Sequence, residues 1–434
     1  MLAIQHDPWY IFGSGQAEKE VVEISMGTLQ NSIQRLFESR RFNLFAFALI
    51  AVLVLLAYSN TFTSSFHFDD DAAILENPAI KNVTADNIVR LLKTNRPIVN
   101  LSLMLNYQLN GLNVVGWHVF NVGLHIINSF FAYLFIVWTL NLPQMKAKYG
   151  EKARRMALFG ALLFAVHPIQ TESVTYIISR SELLAAFFFL VTFLLFIKGA
   201  TTGKFGYYFA AFASTLLAMA SKEWAATLPA MLFLYDLVFL SGGKIKNVIK
   251  SRAKAYIVLF LPWGFIAYIL SLYAGATSAG FSMSGVNGIT AETYLLTSFN
   301  VIWTYIRLLF LPINQNLDYD YHLARTLFEF PTLLSFIGHL AVVAAAFWLY
   351  RKKGWLLVPF GIAWFYIILS PTQSFVPILD LIFEHRLYLP SLGLFVAFIA
   401  GYEELFDRLG GRTAVPAIAV KNTTAKNAKG KKKG

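Results

Sequence analysis

Three consecutive carboxylates, Asp69, Asp70 and Asp71 in "FHFDDDAAILENP", follow the first long apolar run of the chain. Ionisable groups beside lipid are costly, so they are functional candidates by default. The triplet has three readings: a helix start whose dipole it complements, a divalent-cation site, or a proton-accepting base. Other polar clusters recur downstream. They are Arg96 in "NRPIVN", His167, Gln170 and Glu172 in "HPIQTES", and Arg180 and Glu182 in "ISRSE". Lys222 and Glu223 follow in "SKE", Asp318 to His322 in "LDYDYH", and Glu384, His385, Arg386 and Tyr388 in "EHRLYLPS". Singly each has a plainer reading: Lys222–Glu223 as an ion pair in a turn, and His118 and His125 as packed core histidines on one helix face. The sequence has no His-Glu-x-x-His, no Gly-rich phosphate loop, no Gly-x-Ser-x-Gly elbow and no Walker motif. It has no cysteine, which removes disulfides, thiolate nucleophiles and Cys-ligated zinc.

Carboxylates with lysines and arginines on neighbouring loops suit the transfer of a sugar from a lipid-phosphate carrier. An Asp takes the proton of an acceptor hydroxyl as it attacks the anomeric carbon. Cationic groups stabilise the departing phosphate, and a dry groove between helices houses the isoprenoid tail. EDTA-sensitive use of a divalent cation, held by Asp69, Asp70 and Asp71, is the cofactor option left open.

The elements that position these groups are membrane helices. The 434 residues are 57% hydrophobic and 14% charged, with a mean hydropathy of +0.56, against about a quarter charged in soluble domains. The net charge of +12 does not indicate nucleic acid, because the basic residues lie in short segments between apolar runs and in the tail "KNTTAKNAKGKKKG". The first run begins near Asn43, too deep for a cleaved signal peptide, which predicts a retained anchor. Runs long enough to cross predict about ten spans, at 43–60, 118–140, 156–173, 176–199, 205–221, 224–241, 255–274, 331–350, 355–372 and 389–406. The basic segments "QRLFESRR", "KAKYGEKARR", "GGKIKNVIKSRAK" and "RKKG" then share one side, which is cytoplasmic by the positive-inside rule. That assignment requires the apolar run Tyr294–Pro312 to be re-entrant or to lie along the outer face; a full crossing would make an eleventh span. Every polar cluster then faces outward.

Three regions follow: a cytoplasmic segment, 1–42, with an interfacial amphipathic helix; a transmembrane catalytic domain, 43–406; and a basic, disordered cytoplasmic tail, 407–434.

The blocks "FHFDDDAAILENP", "NRPIVNLSLMLNYQLNGLNVVGWHVFNVGLHIIN", "LFAVHPIQTESVTYIISRSELLAAFFFL", "ASKEWAATLPAMLFLYD", "LPINQNLDYDY" and "EHRLYLPSLGL" resemble, in order, the membrane half of the transmembrane-and-tetratricopeptide-repeat (TMTC-like) O-mannosyltransferases. These sit within the polytopic GT-C glycosyltransferase superfamily, near the protein O-mannosyltransferases. The resemblance implies an all-α GT-C-like bundle with extracytoplasmic loop helices. It also implies a polyprenyl- or dolichyl-phosphate sugar donor, inversion at the sugar, and a Ser/Thr acceptor on an exported protein. An acidic pair in the first outward loop is implicated in catalysis, here Asp69 and Asp70, with Asp69 slightly ahead. Arg96, His167, Glu172, Arg180, Lys222, Glu223, Glu384 and Arg386 fall in the matching blocks and become donor-phosphate or substrate-binding candidates. The family's usual repeats leave no 34-residue period in this chain, so a separate subunit presenting the acceptor, or a lipid-linked or polysaccharide acceptor, is the alternative. A transporter or flippase of lipid-linked sugar is the reading from another class. It would favour repeated spans and charges at the midplane, and neither occurs in this sequence.

Overall fold

The computed structural model describes residues 41–274 and 289–409, in which every regular element is helical. The expected interfacial helix, and the basic tail from residue 410 onward, lie outside the described residues. The main helices are α1 (Phe42–Ala57), α2 (Ala85–Leu92), α3 (Pro97–Asn110), α4 (Val114–Leu140), α5 (Ala153–Val166), α6 (Arg180–Thr202), α7 (Gly206–Met219) and α8 (Leu228–Tyr235). They continue with α9 (Ile245–Ala274), α10 (Ala291–Phe310), α11 (Phe330–Trp348), α12 (Leu357–Leu369) and α13 (Tyr388–Arg408). Among the described residues, five helical stretches are long and apolar enough to cross a membrane: Val114–Leu140, Ile177–Thr202, Glu223–Leu240, Phe330–Lys353 and Glu384–Arg408. A sixth is the pair Ala153–Val166 and Pro168–Thr175, bent by 52°, while α1, α7 and α12 are apolar but shorter. At 1.5 Å per residue, a helix of the length of α7 covers only about 21 Å. The ten expected crossings therefore correspond to full spans at five of these places.

The expected third span, 156–173, breaks at His167–Pro168. Proline has no N–H to donate, and its ring pushes the preceding residue out of the helical region; His167 has ψ 132°. The break frees main-chain groups in an apolar setting, where each must find a partner. His167 Nδ1 accepts the Ile169 N–H at 3.1 Å. His125 Nε2 reaches the freed Ala165 carbonyl at 2.9 Å, and Nδ1 receives the Tyr388 hydroxyl at 2.8 Å. His125 belongs to a buried polar stripe on α4, with His118, Asn121 and Asn128, spaced to share one face. Asn121 donates to the Ile177 carbonyl at 3.2 Å, Asn128 to that of Leu183 at 2.9 Å, and His118 Nε2 sits 3.0 Å from the Ser64 carbonyl. Both histidines are core groups tying α4 to irregular backbone around it.

The bundle has two chemically distinct ends. At one, Lys152 bridges Glu403 and Asp407 at 2.7 Å each, Arg155 reaches Glu403 at 2.7 Å, and Lys148 and Tyr149 both meet Glu404. Buried Asp236 pairs with Arg252 at 2.5 Å at this end, where α9 kinks. The loop after α11 returns here too, with Tyr350 close to Gly243. At the other end lie the polar clusters around Asp70, Glu172, Lys222 and Glu384. Helix α10 is continuous for 20 residues, so it is no re-entrant hairpin. It lies across the second end: Tyr294 donates to the Thr372 carbonyl (2.6 Å), Tyr305 to that of Phe383 (2.8 Å), and the Leu309 carbonyl meets His167 (3.1 Å).

Helices α12 and α13 approach most closely at two glycines. A Cβ on Gly361 would stand 2.2 Å from the Gly393 carbonyl oxygen, and one on Gly393 2.5 Å from that of Gly361. Backbone cannot step aside as a flexible side chain can. Gly361→Ala is therefore expected to force the pair apart and cost about 1–3 kcal/mol; a thermal unfolding midpoint equal to that of the unsubstituted protein in detergent would refute this packing.

Candidate active site

The second end encloses a cavity of about 360 Å³, within the range of small-molecule sites, about 300–1,000 Å³. Three carboxylates face it, Asp70, Glu172 and Glu384, with His67, the amides of Gln315 and Asn316, and hydroxyls including Thr171 and Tyr176. Each acid arrives on a different short helical segment, and each is buried.

Asp70 is placed by a backbone reversal. Phe68 occupies the left-handed region with φ 50°, which costs a side-chain-bearing residue roughly 1–2 kcal/mol. The turn leaves Asp69 and Asp71 exposed and drives Asp70 inward to 1% exposure. Its Oδ1 accepts the Ile178 N–H at 2.9 Å and its Oδ2 the His67 N–H at 3.1 Å. Burial pushes its carboxyl up to about 6, against the pull of these two donors. Asp69 contributes its main-chain N–H to the Tyr176 hydroxyl at 2.9 Å. The cavity thus presents Asp70 rather than Asp69. The triplet does not converge on one point, and among the described residues no three acid or imidazole groups could hold a metal ion.

Glu172 sits on the short helix Thr171–Thr175 beyond the proline break. Its two oxygens meet the main-chain N–H and ring Nδ1 of His385 at 2.8 and 2.5 Å. Glu384 anchors the strap of residues 311–329 that follows α10. It accepts from Asn316 N–H at 2.9 Å, the Tyr319 hydroxyl at 2.5 Å and the Gln315 amide at 2.5 Å. Burial, and then the bond to Glu384, push the Tyr319 phenol well above its usual range.

The expected cations stand behind the cavity wall. Arg180 is fully buried and donates to Asn121 (3.0 Å) and Asn106 (2.6 Å), its guanidinium 4.1 Å from the centre of the Phe120 ring. It fastens α6 to α3 and α4. Arg96 pairs with Glu223 through two bonds of 2.9 and 3.0 Å, both side chains substantially solvent-exposed. Lys222 pairs with Glu182 at 3.0 Å, across segments rather than with its neighbour Glu223. Arg386 donates to the Asp380 carbonyl at 2.8 Å. His167 caps the broken helix, outside the cavity lining. Lys222 and Arg386 remain within electrostatic reach of Glu172, and Arg180 of Asp70. Thus Asp70, Glu172 and Glu384 converge, while Arg96, His167, Arg180, Lys222, Glu223 and Arg386 lie outside the cavity lining. His67, Tyr176, Gln315 and Asn316 are the additions. His67 carried the signal of adjacency to the triplet, and Tyr176, Gln315 and Asn316 only that of lying in the blocks "LFAVHPIQTESVTYIISRSELLAAFFFL" and "LPINQNLDYDY".

A helical bundle with spans long enough to cross a membrane defines a polytopic all-α membrane protein, with an acid-lined cavity at one end. Its curated relatives are protein O-mannosyl-transferases. The chain is 30% identical over 304 residues to protein O-mannosyl-transferase tmtc2 of Xenopus laevis, covering 63% of this chain and 35% of that protein. It is 27% identical over 232 residues to TMTC4 of Homo sapiens, 46% of this chain and 30% of that one. It is 34% identical over 163 residues to TMTC3 of Mus musculus, 35% and 16% of the two chains. These similarities relate the chain to the TMTC-type O-mannosyl-transferases over part of its length, and it spans about a third of the first relatives it matches. No family model matches the chain, and no solved structure matches it.

Because Glu384 takes three donors from the first half of one strap, Glu384→Ala should loosen that half with the bundle intact, while Thr304 and Thr297 still hold Tyr321 and Ala324. Limited proteolysis of the detergent-solubilised protein should then cut within 311–329 faster than in the unsubstituted chain. Unchanged cutting there would mean that other contacts hold the strap.

Proposed function

We propose that the protein transfers a sugar, mannose by analogy with its relatives, from a polyprenyl- or dolichyl-phosphate carrier to a hydroxyl, with Asp70 as general base. The observation that carries this reading is a single carboxylate, buried, raised to about 6 and set in the wall of a small-molecule-sized cavity. Such a group is ionised at neutral pH yet basic enough to take a proton from an attacking hydroxyl. Glu172 and Glu384 each have lone pairs left for sugar or acceptor hydroxyls. The lining includes no Lys or Arg, so the phosphate is read as sitting at the rim. There the positive potential of Lys222, Arg180 and Arg386 stabilises the charge that develops as the glycosidic bond breaks. Attack from the side opposite the phosphate inverts the anomeric centre. The acceptor is a Ser or Thr hydroxyl of an exported protein. The segment 43–406 is the catalytic domain, and the cavity end is extracytoplasmic.

In proteoliposomes supplied with dolichyl-phosphate mannose and a Ser/Thr peptide, Asp70→Asn is expected to lose transfer and Asp69→Asn to keep most of it, at matched protein abundance. The reverse order would move the base to Asp69. The base works ionised, so transfer should be level above about pH 6 and fall about tenfold per unit below it; a flat profile from pH 5 to 8 would remove Asp70 from the role.

The chain has no native cysteine, so orientation can be read from a single introduced thiol. Ser65→Cys, exposed at the cavity mouth, should react with an impermeant maleimide from the non-cytosolic side of sealed membranes. Reaction only after permeabilisation would invert the topology.

A further inference from the structure

Glu172 reaches the cavity with a single residue behind both of its oxygens. The main-chain N–H of His385 is 2.8 Å from Oε2, and ring Nδ1 is 2.5 Å from Oε1. An ionised carboxylate only accepts, so with Glu172 ionised the facing ring nitrogen carries the proton. The ring is itself fixed. It stacks on Phe383 with centroids 4.9 Å apart and planes 24° apart. Its Nε2 lies 3.9 Å from Glu182 Oε1. Buried Glu182 is in turn held by Lys222 at 3.0 Å and by the Trp224 indole N–H at 2.5 Å. The imidazole is thus wedged between two carboxylates from separate segments, with Lys222 beyond the far one and Arg386 within reach of the near one. His385 does not line the cavity; Glu172 does.

We propose that His385 is a positioning residue: through its ring and main-chain N–H groups it holds the Glu172 carboxyl group in one orientation, where it meets a hydroxyl of the transferred sugar or its acceptor. A free glutamate carboxylate rotates about its last bond. Two donors from one residue fix its plane and leave the remaining lone pairs toward the cavity. The stacked Phe383 and the ion pair behind keep the imidazole from following any motion of the carboxylate. The role assigned to Glu172 rests on the sugar-transfer reading of the cavity; the grip of His385 on Glu172 does not.

Two variants of the full chain test it. His385→Phe keeps a ring against Phe383 but has no donor, whereas His385→Asn places an amide N–H near the position of Nδ1. Transfer kinetics should show kcat falling on the order of 100-fold for the Phe variant, the scale set by a misplaced group, with KM little changed and most activity kept by Asn. A second readout needs no turnover: a membrane-permeant carbodiimide attacks protonated carboxyls, and mass spectrometry reports labelling at Glu172. Labelling should rise several-fold in His385→Phe and stay at the unsubstituted level in His385→Asn. Equal labelling in Phe and unsubstituted protein, or an Asn variant as impaired as Phe, overturns the positioning role. Should the Phe variant not accumulate, His385→Ala replaces it in the same comparison. Failure of the unsubstituted protein to transfer any sugar overturns the transferase reading instead, and labelling then decides the positioning role alone.

Discussion

A carboxylate removed from water stays charged only where hydrogen-bond donors stand in for the lost solvent. That constraint organises the cavity end of this protein. Asp70 is served by two main-chain N–H groups, Glu172 by one residue's backbone and ring, and Glu384 by an amide, a backbone N–H and a phenol. None of the three has a Lys or Arg in direct contact. The cations serve at longer range, where they bias the potential of the cavity without neutralising any one acid. A direct ion pair would have held Asp70 below the ordinary carboxylate range and left it a weak base.

The same constraint explains the polar stripe of α4. Wherever the backbone departs from regular helix, carbonyls lose their partners in an apolar interior. His125 and Asn121 supply donors at two such places, and Arg180 is enclosed by Asn106, Asn121 and the faces of aromatic rings. These groups resemble site residues in type and burial, yet they hold together the scaffold on which the site residues ride.

Much of the bundle was legible in the sequence. Apolar runs marked α4, α6 and α13 to within a few residues, because length and hydropathy alone decide whether a helix can cross. The break at Pro168 was not legible, since the expected span ran through it from 156 to 173, whereas the basic segments placed Tyr294–Pro312 on the outer face. The convergence of Asp70, Glu172 and Glu384 was legible only as a list of acids on loops sharing one face. What could not be read was pairing. Nothing in "SKE" says that Lys222 turns to Glu182 while Glu223 turns to Arg96, since both choices depend on how α3 and α6 pack. Nor does "FDDD" disclose which aspartate turns inward. That follows from the left-handed turn at Phe68, a conformation that a bulky residue adopts only when the surrounding structure imposes it.

The bend at His167–Pro168 sets a rule for divergence in this region. Glu172 stands four residues past the proline, and each residue turns a helix by about 100°. Inserting or deleting one residue between them would swing the carboxylate out of the wall. Homologues can therefore exchange side chains along "HPIQTE" while keeping its length.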